Sequence, residues 1–217
     1  MNEALTFIGK GSGFADKNNS AYYEEDNILN IIDCGFSVFT EIKNKFNYER
    51  YTEINIIITH LHNDHAGSLS QLILFLWFTK NIKVNVISKC ENIEKYLDIT
   101  GTPREGYTLK SKIDKLRFIK TQHVQNLDTY GFIVSIKDKK IIYTSDTCVI
   151  EPYLEYMNGI DELYIDISKS GGAHLECDKI LSKLEEIKSK GIEIYPMHMD
   201  DEEYVLNKCK GNRLKMI

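Results

Sequence analysis

The sequence predicts an α/β layered sandwich, with two sheets each flanked by helices. Short apolar runs recur along the whole chain without strict alternation, the pattern of strands covered on both faces. Segments of helical period lie between them, which is how layered α/β folds are written. Polar clusters then fall just beyond the strand ends, where loops carry chemistry on a rigid scaffold. At 217 residues, 42% hydrophobic and 27% charged, the chain suits one domain spanning 1–217 with a sizeable core. Three prolines and the lack of a Ser/Gly-rich tract leave no linker to divide it.

The elements follow in order. Residues 5–9 read as a first strand. Gly9, Gly11 and Gly13 come next, and their spacing is wrong for a dinucleotide loop, so they predict a tight loop between strands. Residues 28–33, dense in Ile, read as the next strand, ended by Asp33-Cys34-Gly35. Residues 36–46 have helical spacing, and 54–58, four isoleucines around Asn55, read as a short, mainly apolar strand. Residues 67–79 predict a buried helix, 82–88 a strand and 91–97 a short helix. Further strands are expected at 116–120, 129–136, 140–144, 163–167 and 192–196. Helices are expected at 151–157, 177–190 and 201–208.

Composition narrows the function. The net charge of −5 lowers the case for a large polyanionic partner, and the lysines of 110–120 read as a solvated face. Five cysteines, an odd number with no Cys-x-x-Cys, argue against a disulfide framework and against a cysteine-zinc site. They read as reduced thiols of a cytoplasmic protein. Residues 1–10 have no cationic start followed by a long apolar core, so no signal peptide is expected there. The most apolar stretch, 69–78, is about half the length of a membrane span, so a buried helix is expected and no membrane partner.

The stretch "THLHNDHAGS", residues 59–68, holds three of the chain's six histidines. His60, His62, Asp64 and His65 follow the strand 54–58. His123, Asp146 and His198 each follow a later strand. These seven are ligands for a divalent metal, supplied by four strand ends. His60 and His62 alternate, so an extended backbone puts both on one side to share a metal. Asp64 and His65 lie past the bend and can face a second position. Imidazole and carboxylate without thiolate suit Zn²⁺ best, and also Mn²⁺ or Fe²⁺. Two such ions roughly 3.5–4 Å apart would hold a bridging hydroxide nucleophile, with Asp146 the isolated candidate for a bridging carboxylate.

His60-x-His62-x-Asp64-His65, followed by a single His, a single Asp and a last His, resembles the signature of the metallo-β-lactamase superfamily. "FIGKGSGF" and "NILNIIDCG" look like that family's opening strands and its Asp-x-Gly turn. The resemblance implies a four-layer αββα sandwich. It implies that His60, His62 and His123 bind one metal, that Asp64, His65 and His198 bind the other, and that Asp146 bridges.

The superfamily hosts many reactions, so the site must decide among them. "LYIDISKSGGAHLECDKI" places Asp166 at a strand end and His174 just before a helix. A carboxylate and an imidazole beside a metal site make a proton relay, and the histidine can donate to a leaving group. The stretch is similar to the acidic residue and His-Ser/Thr motif of the ribonuclease Z-like branch. It departs from that motif in having Leu175-Glu176 in place of Ser/Thr, and Asp166 in place of the more usual Glu. The branch includes tRNA 3′-processing endonucleases, small cyclic-phosphate phosphodiesterases, and phage enzymes of the anti-Pycsar type that destroy cyclic nucleotide signals.

The resulting expectation is a dinuclear-metal phosphodiesterase acting on a small phosphodiester, best a cyclic nucleotide or cyclic phosphate. Asp64, His174 and Asp166 would carry catalysis, and the branch implies a homodimer. The alternatives are a tRNA 3′-processing endonuclease, a thioester or lactone hydrolase of the same fold, and a metal-binding module without turnover. The tRNA reading lacks a long basic arm. Residues 101–112, "GTPREGYTLKSK", are the one candidate insertion, either a substrate lid in which Arg104, Tyr107 and Lys110 meet a phosphate or base, or an ordinary connection.

Overall fold

The isoleucine-rich run at 54–58 forms a central strand of a six-stranded sheet, and every residue of it, Asn55 included, is buried. The computed structural model describes residues 3–211 and divides into two compact units, 1–114 and 115–217, each built on one sheet. In the first unit the strands run in sequence order: β1 (Thr6–Gly9), β2 (Ser20–Glu25), β3 (Ile28–Ile32), β4 (Glu53–Ile58), β5 (Val84–Ser88) and β6 (Tyr107–Lys110). The β1–β2 and β2–β3 pairs are antiparallel, and β3 to β6 are parallel. Parallel neighbours need crossovers, supplied by α1 (Val38–Ile42), by α2 (Asn63–Ala66) with α3 (Leu69–Lys80), and by α4 (Ile93–Ile99).

Polar residues pin the register inside this sheet. Asn55 Nδ2 donates to Asn30 Oδ1 and Asn85 Nδ2 to Asn55 Oδ1, both at 2.9 Å, across β3, β4 and β5. A one-residue slip would turn every side chain of a strand to the opposite face and strand these buried amides. The ladder therefore sets how the C-terminal ends of β3 and β4 line up, and those ends carry the polar cluster.

The second unit contains β7 (Leu116–Lys120), β8 (Tyr130–Ile136), β9 (Lys139–Tyr143), β10 (Glu162–Asp166) and β11 (Glu193–Met197), in the spatial order β11-β10-β9-β8-β7. The first three form an antiparallel meander, and β9, β10 and β11 are parallel. The helices are α5 (Glu151–Leu154), α6 (Cys177–Ser189) and α7 (Glu202–Gly211). Leu184 and Ile187 of α6, Val205 and Cys209 of α7, and Leu163, Ile165 and Ile194 of the sheet share one buried core. Burying each large aliphatic side chain contributes about 1.5–3 kcal/mol.

The α/β class with two sheets is as expected, and three local readings are corrected. Strand β2 was not foreseen. Its sequence "SAYYEE" mixes polar and aromatic residues, but Asp26 and Asn27 after it both take the left-handed conformation, φ 52° and 61°. That is the two-residue hairpin turn in which Asn and Asp are favoured. The helix expected at 36–46 shrinks to the five residues of α1. Residues 101–112, open between a lid and a connection and not foreseen as a strand, form a short 3₁₀ turn, Arg104–Gly106, and then the edge strand β6, paired to β5. Arg104 is tied to Glu94 and Asp98 around α4, and Tyr107 is buried. Helix α3 is the buried helix expected, with Leu69, Leu72, Ile73 and Leu76 fully buried. Among the described residues no helix is long and apolar enough to cross a membrane. All five cysteines are free thiols.

Candidate metal-binding clusters

Every histidine of the chain lies just beyond, or in a loop following, a strand that has a polar cluster at its C-terminal end. In open sheets with parallel strands this is where ligands bind. The backbone turns sharply there. Asp33 after β3, Ser145 after β9 and His198 after β11 all adopt left-handed φ values, 58°, 54° and 56°. Each such residue costs about 1–3 kcal/mol and persists only where its surroundings hold it. The buried aliphatic residues of the two sheets supply that hold, and the strained turns re-aim the side chains at the strand ends.

In the first unit the structure brings together His60, His62, Asp64 and His65. His60 Nε2 lies 3.1 Å from His62 Nδ1, and His65 Nε2 lies 3.3 Å from Asp64 Oδ2. Two donors held about 2.0–2.1 Å from one tetrahedral ion sit roughly 3.3 Å apart, so both spacings fit pairs sharing a cation. Asp33, wholly buried, organises the cluster from behind. His65 Nδ1–H donates to Asp33 Oδ2 at 2.9 Å, while the Thr59 backbone N–H and hydroxyl donate to Oδ1 at 2.9 and 3.0 Å. The Thr59 hydroxyl oxygen in turn lies 3.1 Å from His60 Nδ1. One carboxylate thus fixes two imidazoles so that their Nε2 atoms face the cluster, directly at His65 and through Thr59 at His60. Burial pushes the Asp33 carboxyl up in pKa, against the lowering from His65 and Thr59.

The "DCG" turn clasps the histidine loop. Cys34 N–H donates to His65 O at 2.6 Å, Phe36 N–H to Asn63 O at 3.0 Å, and Ser68 N–H to Cys34 O at 2.9 Å. Gly35 is required there: a Cβ at this position would lie 1.9 Å from the Asp64 carbonyl oxygen.

In the second unit the structure brings together His123, Asp146, Asp166, His174 and His198. Asp146 Oδ2 lies 3.6 Å from His123 Nε2 and 3.4 Å from His198 Nε2. A single oxygen facing two imidazoles from different loops has the placement of a shared ligand. His123 Nδ1–H donates to the Ala173 carbonyl at 2.9 Å, which leaves Nε2 for a metal. Asp166 repeats the role of Asp33. His174 Nδ1–H donates to Asp166 Oδ2 at 2.8 Å, and His198 Nδ1 lies 3.6 Å from Oδ1. The same carboxylate accepts from Thr147 N–H at 2.8 Å, next to Asp146. One donor from each of Asp146, Asp166, His174 and His198 lies within 4.8 Å of the others. Burial disfavours the charged form of His174, but the Asp166 hydrogen bond and the charges of Asp166 and Asp146 outweigh it, so its pKa lies above the ordinary histidine value.

These groups fit divalent ions. Imidazoles and carboxylates crowd within ligand distance, and one ring nitrogen each of His60, His65, His123 and His174 is already committed to a hydrogen bond. The sequence comparison then decides the family. The profile of the anti-Pycsar protein Apyc1 matches residues 3–97. The anti-Pycsar protein Apyc1 of Bacillus phage 010DV004 is 30% identical over 233 residues, which cover 91% of this chain and 89% of that protein. The chain belongs to the anti-Pycsar Apyc1 family.

Solved structures show the fold of this Apyc1-family chain. The metallo-β-lactamase fold protein YhfI of Bacillus subtilis superposes with a TM-score of 0.78 at 15% identity, over 98% of this chain and 94% of that one. Human tRNase Z, short form, gives 0.69 at 15% identity, over 92% and 93%. The fold is the metallo-β-lactamase fold, and the chain is a metal-dependent hydrolase.

Three supporting residues escaped the sequence reading. Asp33 entered only as part of a turn, although an Asp closing an apolar strand before Gly35 was its signal. Thr59 left no signal, because a threonine after an apolar strand is ordinary. Asp200 accepts from the Lys169 and Ser170 backbone N–H groups at 2.6 and 3.1 Å and so anchors the loop leading to His174. Replacing Asp33 with Asn keeps the side-chain volume but removes the charge that orients His65. Divalent-metal affinity is expected to fall about 10–100-fold, as for other lost outer-shell partners, measured by competition with a chromophoric chelator. Unchanged affinity would remove Asp33 from metal binding.

Proposed function

We propose that this hydrolase is a two-metal phosphodiesterase whose substrate is a cyclic nucleotide or a closely related small cyclic phosphate. His60, His62 and His123 would hold one ion, Asp64, His65 and His198 the other, and Asp146 would serve both. The donor set suits Zn²⁺ best and accepts Mn²⁺ or Fe²⁺. When bound, such ions supply water activation and neutralise phosphate charge. The family resemblance further supports a cytoplasmic homodimer without a stable nucleic-acid partner.

The observation that carries the phosphodiesterase reading is the Asp166–His174 pair. His174 Nδ1 donates to Asp166 at 2.8 Å and stands 4.0 Å from Asp146 Oδ2. Its other nitrogen, Nε2, is left for substrate. Asp166 fixes the ring tautomer and stabilises the imidazolium, so His174 can donate a proton to the departing sugar oxygen. Leaving-group protonation is the step that a cyclic phosphodiester demands. Membership of a family named for opposing Pycsar points the substrate toward cyclic nucleotides, in line with the resemblance noted in the sequence.

The test offers purified, metal-loaded protein 3′,5′- and 2′,3′-cyclic nucleotides, bis(p-nitrophenyl) phosphate and a precursor tRNA, beside Asp64→Ala and chelator-treated controls. Cyclic nucleotides should be opened, with activity lost in both controls and restored by adding divalent metal back to the chelated wild type. Cleavage of the tRNA at its 3′ end would put the endonuclease reading first. Silence on every phosphodiester would turn attention to thioesters and lactones.

A further inference from the structure

Phe14 is the most exposed large apolar side chain described, at 105% of its reference area. Its position is not that of a slack loop. Ala15 N–H donates to Ser12 O at 3.0 Å, which places Gly13 and Phe14 at the tip of a closed turn. Gly11 N–H donates to Lys17 O at 3.1 Å and fastens the base of the loop. Asn18 then anchors it: its N–H donates to Ser37 Oγ at 2.8 Å, and its Oδ1 accepts from Ser37 N–H at 3.1 Å. The tip lies against the metal cluster of the same unit, because a Cβ on Gly13 would sit 3.2 Å from Asp64 Oδ2. Phe36, 52% exposed, follows the "DCG" turn whose backbone is bound to Asn63 and His65. A hydrogen-bonded turn thus holds a bare phenyl ring in water, one residue on from the Gly13 backbone that abuts a proposed metal ligand. An exposed apolar side chain on a turn tip does nothing for folding. A flat ring next to a phosphate-cleaving site, by contrast, meets the part of a nucleotide that the metals do not touch.

We propose that Phe14 is a specificity residue that stacks on the nucleobase of the substrate and positions its cyclic phosphate at Asp64. This rests on the cyclic-nucleotide reading given above. Base–aromatic stacking tolerates any base because each presents a π-face, so the residue would confer preference for nucleotides over base-free phosphates rather than for one base.

Steady-state kinetics on metal-loaded wild type, Phe14→Ala, Phe14→Tyr and Phe78→Ala test it. The substrates are a 3′,5′-cyclic nucleotide and the base-free ribose 3′,5′-cyclic phosphate. Phe78 is also exposed, at 71%, but lies ten residues past Ser68 along α3, about 15 Å away at the helical rise. Phe14→Ala should raise KM for the nucleotide about tenfold, the scale of one lost stacking contact, with kcat nearly unchanged and the base-free substrate unaffected. Phe14→Tyr should restore the wild-type KM, and Phe78→Ala should match wild type throughout. An unchanged KM in Phe14→Ala, or an equal loss on both substrates, would overturn the assignment. So would a shift from dimer to monomer in Phe14→Ala by size-exclusion chromatography, which would place the ring in an interface. If wild type itself opens no cyclic nucleotide, the underlying function reading fails and the stacking role goes with it.

Discussion

Asp146→Asn should abolish hydrolysis while leaving the apo protein folded. Asp146 is 1% exposed and its Oδ2 faces His123 at 3.6 Å and His198 at 3.4 Å. Asparagine keeps the shape, but its neutral amide is a poor ligand and offers no anion to be shared. Losing an outer-shell partner typically costs 10–100-fold, so losing this carboxylate should cost on the order of 10³-fold or more in kcat/KM. The stability readout separates a ligand from a merely structural residue. Without metal, a buried carboxylate is a burden, and its neutral isostere should leave the apo melting temperature unchanged or higher. With metal, wild type gains stability by mass action, about 2.7 kcal/mol at a hundred times Kd, and the variant should lose most of that gain. Thermal scans with and without divalent metal, together with metal content per chain, check both arms. A variant that melts lower in the apo state yet keeps its metal would show Asp146 to be structural.

The sequence made the strands legible because their residues are covered on both faces and so read as nearly continuous apolar runs. Ile54 to Ile58, interrupted only by Asn55, is the clearest instance. Strand β2 was hidden because its side chains, Ser-Ala-Tyr-Tyr-Glu-Glu, form neither an apolar run nor a regular alternation, and only the Asp26-Asn27 turn betrayed it. The edge strand β6 was hidden for a related reason: "YTLK" pairs on one side only, so nothing forces it to be apolar. Within each unit the candidate ligands were legible from their residue types at strand ends. The residues that aim them were not. Asp33 and Asp166 play the same part, each a wholly buried carboxylate at the end of a parallel strand with one histidine on it and a second nearby. Sequence spacing cannot show this, since Asp33 meets His65 from 32 positions away. Reading Asp166 as a relay partner of His174 was possible only because the two fall within one short motif.

His174→Ala should lower kcat by on the order of 10²–10³-fold, the usual worth of a positioned general acid, with KM and metal content little changed. The argument rests on its surroundings. The side chain is 22% exposed, the only one of the second unit's five cluster residues with substantial access to solvent, whereas that of His123 is 3% exposed and that of His198 2%. Its Nδ1–H is spent on Asp166, so only Nε2 can serve substrate. The Asp166 hydrogen bond and the nearby carboxylate charges raise its pKa and so favour the imidazolium, which is the form a proton donor needs. The sign follows: below that pKa the acid form is present and kcat holds, and kcat declines as pH rises through it. The wild-type pH profile should therefore show a basic limb that His174→Ala lacks. Asp166→Asn should move that limb to lower pH, because the carboxylate that favours the imidazolium is gone. A different chemistry predicts a different pattern. Since a nitrogen of His174 also lies within 4.8 Å of donors on Asp146 and His198, a histidine that instead bound metal would show itself by a fall in metal content on substitution and by no selective loss of the basic limb. Metal content and pH profile measured on the same variant thus separate an acid from a ligand, and only a fully loaded, slow His174→Ala enzyme fits the acid.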